Sequence, residues 1–244
     1  TPALAAAVSN AGGLGMLSVT WRDPGRLREL LAETRRLTDR PWGVNLVLEW
    51  PPDERLAISL EGGARLVSFF WGDPAPYVER AHAAGALVSY TVGSAAEAQR
   101  AVAAGVDVIV AQGWEAGGHV WGQVGTLALV PRVADAVAPA PVLAAGGIVD
   151  GRGLAAALTL GAAGVWMGTR FLVSEEASVH PIYRERVIAA IETDTIHTEL
   201  FDGGWPNAPL RALRNHTVAM WEAAGQPASG ERPGEGEIVG HNEL

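Results

Sequence analysis

The apolar positions along the chain repeat one short unit: an alanine-rich stretch of helical periodicity, a glycine, and a near-continuous apolar run. It occurs as AHAAGALVSY (81–90), AVAAGVDVIV (101–110) and ALTLGAAGVWM (157–167), with a looser copy in SLEGGARLVSFF (59–70). In each copy a glycine (Gly63, Gly85, Gly105, Gly161) stands where a helix ends in the left-handed conformation. The runs are not interrupted by regularly spaced polar residues, the pattern of parallel strands covered on both faces. Strand starts are predicted near residues 14, 42, 65, 86, 107, 142 and 163, spacings that suit single strand–helix units.

Seven strands joined by helices are one short of a closed eight-stranded barrel. The chain opens on Thr1-Pro2, a helix cap followed by a proline suited to the first helical position. The expectation is therefore a TIM-type (β/α)8 barrel core over residues 1–174 that lacks its first strand, in a fragment cut at both ends. A helical extension is expected over 175–225, with helices at 180–193 and 209–224, and an irregular tail over 226–244. An open doubly wound sheet is the alternative, but it has no supporting glycine fingerprint; GEGEIVG (234–240) lies in the tail with no strand before it. The long interval between strand starts 107 and 142 carries its surplus in 112–125. That is the C-terminal end of a strand, where parallel α/β folds build active sites.

Composition then narrows the chemistry. The basic residues are 18 arginines with no lysine, and cysteine is absent. Schiff-base catalysis, a lysine phosphate clamp, disulfides and thiolate metal sites are thereby excluded, so redox chemistry requires a borrowed cofactor. A net charge of −9 with scattered arginines argues against a nucleic-acid surface. No apolar run reaches the roughly 18 to 20 residues of a membrane span, and the start lacks a signal peptide's basic region. A cytoplasmic protein is the expectation.

Three glycine-bearing loops carry the candidate chemistry. Gly146-Gly147 follows the run PVLAA and precedes a helix, and Gly168-Thr169 follows the next strand. Both offer backbone N–H groups suited to phosphate. Gly147 and Gly168 are expected to approach it so closely that a Cβ would collide. The third loop, AQGWEAGGHVWG (111–122), holds four glycines and His119, a proton acceptor near neutrality. His82, His180, His197, His216 and His241 are assigned no duty, and Glu115 is read as organising the loop. Trp114 and Trp121 flank His119 as candidate walls of an apolar pocket, and Asn45 places an amide at the end of a strand where a polar ligand group would satisfy it. No metal-ligand spacing is present.

Through SNAGGLGML (9–17), WGVNLVL (42–48), AQGWEAGGH (111–119), PVLAAGGIVDG (141–151) and VWMGTRFL (165–172), the chain resembles the nitronate monooxygenases, FMN-dependent barrel enzymes formerly called 2-nitropropane dioxygenases. The resemblance covers most of residues 1–190. It implies that Asn45, Gln112 and Gly117 contact FMN, that Gly146, Gly147, Met167, Gly168 and Thr169 form the phosphate end, and that His119 is the catalytic histidine. It further implies a nitronate or nitroalkane substrate oxidised by molecular oxygen. An FMN- and NADH-dependent enoyl-acyl-carrier-protein reductase is the alternative, and a noncatalytic flavin-binding fragment a second one.

Overall fold

The computed structural model describes residues 1–201, 205, 207–228 and 231. The barrel portion runs α1 (Pro2–Asn10), β1 (Gly15–Ser18), α2 (Pro24–Leu37), β2 (Trp42–Val47), α3 (Asp53–Glu61), β3 (Leu66–Phe70), α4 (Ala75–Ala83), β4 (Leu87–Val92), α5 (Ala95–Ala103), β5 (Val108–Gln112), β6 (Gly118–His119), α6 (Thr126–Val137), β7 (Val142–Ala145), α7 (Gly151–Thr159) and β8 (Gly164–Trp166). A 3-10 turn (Thr169–Val173), α8 (Pro181–Ala189), β9 (Thr195–Thr198), β10 (Leu210–Leu213) and α9 (His216–Ala223) follow.

Each barrel strand begins within one residue of its expected start. The local signals explain why. Thr1 caps α1 by accepting from the Leu4 N–H, Ser94 caps α5 through the Glu97 N–H, and Asp150 caps α7 through the Arg152 N–H. The four repeat glycines all take positive φ, from 76° at Gly85 to 95° at Gly63, turning the chain from helix to strand.

The seven strands form one parallel sheet in the order β1-β2-β3-β4-β5-β7-β8. Sequential order without reversal excludes the doubly wound alternative. The sheet is that of a TIM-type barrel lacking one strand, with β1 and β8 as its edges among the described residues. Its outer face carries Leu17, Val44, Leu46, Val67, Phe69, Val88, Ile109 and Ala144, all buried against the helices in one core.

The inner face is less apolar than the runs imply. Ser18 pairs with Asn45, Asn45 with Ser68 and Ser68 with Ser89, so one register row places four polar residues across β1–β4. The barrel is thus apolar toward its helices and polar along this inner row.

The segment after residue 174 departs from expectation. Helices α8 and α9 are present, but residues 195–198 and 210–213 are strands, and with β6 they make an antiparallel sheet in the order β6-β10-β9. The expected helix over 209–224 is therefore corrected to a strand followed by a helix. Leu210 and Ala212 are buried while Arg211 and Leu213 are less so, a period of two, and Asn215 caps α9 by accepting from the Val218 N–H. That cap lies inside the stretch read as continuous helix. Most of the tail expected at 226–244, with GEGEIVG, lies outside the described residues.

Candidate active site

The barrel strands deliver their C-terminal ends to one region, and the 113–125 loop crosses it. Glu115 holds this loop down: both carboxylate oxygens accept from the Thr126 N–H at 3.1 Å, supplying the cap that Gly125 lacks at the start of α6. The Thr126 hydroxyl in turn donates to the carbonyls of Ala145 (3.2 Å) and Gly146 (3.0 Å), fixing the end of β7. Glu115 is accordingly an organiser of the loop, as its place in the sequence implied.

His119 sits on β6 and is gripped through its backbone. It pairs with Leu210 of β10, its carbonyl accepts from the Gln112 amide nitrogen at 3.1 Å, and the next residue, Val120, donates its N–H to the Pro209 carbonyl at 2.9 Å. His197 Nε2 lies 3.0 Å from the Val120 carbonyl, so this histidine supports the strand. The small second sheet holds the His119 backbone, which the barrel pattern alone did not reveal.

Around the imidazole stands a cluster of aromatic rings. The Trp205 ring lies 4.1 Å from the His119 ring between centroids, at an interplanar angle of 33°. Trp71 meets the same imidazole edge-on at 6.3 Å and touches Trp121 and Trp205, each at 4.8 Å. Trp50 packs on Trp205, and Phe70 on Trp71, Trp121 and Trp205. Trp121 joins this cluster through Phe70 and Trp71, whereas Trp114 packs on His197 with Arg211 above it.

Two of these walls escaped the sequence reading. Trp71 has φ 62°, a left-handed conformation unusual for a bulky side chain and a mark of strain retained near function. The following carbonyl, Gly72, accepts from the Tyr90 hydroxyl at 2.6 Å, which holds the turn. Burial, reinforced by the nearby Glu97 and Asp73 carboxylates, pushes the Tyr90 phenol up to about 12. The signal available was the break from strand to WGDP at 71–74; nothing local foretold Trp205.

The expected cofactor residues fall into two groups. Gly117 and Thr169 adjoin each other, because a Cβ on Gly117 would lie 2.7 Å from the Thr169 hydroxyl. A Cβ on Gly146 would stand 3.1 Å from Ala116, and one on Gly147 3.0 Å from Glu115 Cγ, so the loops after β5, β7 and β8 converge. Met167 and Gly168 continue β8 into this convergence. Asn45 lies apart on β2, half-buried on the inner face.

Gly147 and Gly168 differ in kind. Gly147 has φ 68°, so its own turn and the Glu115 side chain account for glycine. Gly168 has φ −116°, and a Cβ there would meet nothing within 4 Å. Neither backbone nor packing demands glycine at 168, which is exposed beside open space.

The family model for nitronate monooxygenase matches residues 1–54 and 50–232. The chain belongs to the nitronate monooxygenase family. Nitronate monooxygenases are flavin-dependent oxidoreductases. Among solved structures, FabK from Thermotoga maritima superposes with a TM-score of 0.84 at 42% identity, covering 91% of this chain and 70% of that one. Nitroalkane oxidase from Streptomyces ansochromogenes gives 0.82 at 30% identity, covering 90% and 74%. A Mycobacterium tuberculosis relative, (3aS,4S,5R,7aS)-5-hydroxy-7a-methyl-1-oxo-octahydro-1H-indene-4-carboxyl-CoA dehydrogenase, is 39% identical over 90% of this chain, which spans 61% of that protein's length. No helix of the described residues is long and apolar enough to cross a membrane, and among them no cluster of three or more His, Cys, Asp or Glu residues could hold a metal ion.

Proposed function

We propose that this nitronate monooxygenase family member binds FMN and oxidises alkyl nitronates or nitroalkanes with molecular oxygen. The observation that carries this reading is His119 under Trp205 and Trp71 at the C-terminal mouth of the barrel. The rings give the imidazole aromatic neighbours beside which an acidic carbon could lie.

FMN, when bound, supplies electron acceptance and the reaction with oxygen. Gly146, Gly147, Met167, Gly168 and Thr169 would hold its phosphate end, a role supported by the open space at Gly168 and the converging loops. Asn45, Gln112 and Gly117 would hold the remainder. His119 Nε2 or Nδ1 takes the proton from the acidic carbon of a neutral nitroalkane; as imidazolium it stabilises the nitronate charge. Gln112 holds the His119 backbone through its carbonyl.

The test separates proton transfer from binding. In His119→Asn, turnover of a nitroalkane should fall by about 10²- to 10⁴-fold in kcat/KM, the usual contribution of a positioned base. Turnover of the preformed nitronate, which has already lost that proton, should fall far less. Equal losses on both forms would remove the base role.

A second reading is reduction or oxidation of an acyl thioester, supported by the likeness to FabK and to the carboxyl-CoA dehydrogenase. Stopped-flow mixing with NADH distinguishes it, since rapid flavin reduction favours the reductase.

A further inference from the structure

Two partly buried indole N–H groups find acceptors in the protein. Trp121 donates to Glu97 Oε2 at 3.1 Å, and Trp221 donates to the Pro227 carbonyl at 2.9 Å. Trp205 differs from both. It is 2% exposed, and its Nε1–H has no acceptor among the described residues. A buried donor left unpaired is costly, and an indole N–H can only donate. Packing does not account for it, because the neighbours of the ring (Trp50, Phe70, Trp71, His119 and Ala208) would serve a phenyl group as well. The ring also lies against the one histidine of the site.

We propose that Trp205 is a substrate-binding residue whose indole N–H donates to an oxygen of a small planar oxyanion lying beside His119. The inference rests on the reading that His119 marks the substrate position. An oxygen on an sp² centre that carries or develops negative charge fits both the indole donor and a protonated imidazole. A nitronate oxygen meets that description, and so does the carbonyl oxygen of an acyl thioester as its enolate forms. A fixed N–H donor aimed at that oxygen stabilises such a charge beside the imidazolium.

The experiment uses the full chain loaded with FMN and labelled at the indole nitrogens. Trp205→Phe keeps the ring and removes the donor, and its missing resonance identifies the Trp205 N–H. Isobutyrate, the carboxylate isostere of propyl-2-nitronate, is the probe. Titration should move the Trp205 resonance downfield to saturation, in step with the flavin absorbance. Trp205→Phe should retain flavin and melting temperature yet bind isobutyrate about 10- to 100-fold more weakly, the loss expected for one hydrogen bond to a charged group. A resonance that stays still while the flavin spectrum saturates, or equal affinity in the variant, overturns the proposal. So does a native protein that answers neither isobutyrate nor a crotonyl thioester. A response to the thioester alone upholds the donor and assigns the oxygen to the acyl source. A response to isobutyrate without any nitronate turnover upholds the donor and defeats the nitronate reading.

Discussion

Substitution of Gly168 by alanine tests the cofactor cradle with little interference from folding. The residue has φ −116°, within reach of any L-residue, and an added Cβ would have no heavy atom within 4 Å. The folded state therefore gains no clash, and surface changes of this kind stay within about 0.5 kcal/mol. For a chain of this size that corresponds to a shift in melting temperature of roughly 2 °C or less. The methyl would instead project into the space proposed for the FMN phosphate. Losing one charge-assisted hydrogen bond from a backbone N–H removes about 1.5–3 kcal/mol, or about 10- to 100-fold in Kd. Gly168→Val, with two further carbons, should abolish retention of flavin through purification. The assay is quenching of FMN fluorescence on titration with flavin-stripped protein, beside a thermal melt of the same sample. Affinity within threefold of native for Gly168→Ala would refute the cradle. A lowered melting temperature in the flavin-free protein would instead show that Gly168 serves the fold. Gly147→Ala makes the contrast: its φ of 68° makes alanine strained, so stability should fall by about 1–2 kcal/mol with or without flavin.

Two further outcomes follow from the walls of the site. Trp71→Ala removes the ring but keeps the left-handed backbone, whereas Trp71→Gly also relieves it. Loss of the ring costs more than relief of strain returns, about 3–5 against about 1–2 kcal/mol, so both variants should be less stable than native. Trp71→Gly should nevertheless be the more stable of the two by about 1 kcal/mol in a denaturant titration, and the opposite order would show an unstrained turn. Because burial and then Glu97 and Asp73 raise the Tyr90 phenol to about 12, the folded chain keeps a proton that the unfolded chain loses near pH 10. Its contribution is full below pH 10 and declines as the pH rises toward 12, so Tyr90→Phe should show a shallower fall in melting temperature over that window, and parallel curves would contradict this.

The sequence determined the barrel through features that act locally. Helix caps at Thr1, Ser94 and Asp150, left-handed glycines at helix ends and apolar runs of strand length operate within a few residues, so each strand of the seven-stranded sheet could be located before any contact was known. The same locality made the glycine loops and His119 legible, because their residue types are unusual where they stand. It failed where pairing is distant. Strands β9 and β10 acquire their identity from β6, and His119 faces Leu210 only once the chain has returned 91 positions later. The polar row from Ser18 to Ser89 is likewise invisible along the chain, since it arises from the register of four strands. Gln112 could be marked as a site residue, but only the folded chain directs its amide to the His119 carbonyl. Trp205 carries no local signal at all; its burial against His119, and the unpaired donor that results, exist only because tertiary packing brings residues 86 positions apart together.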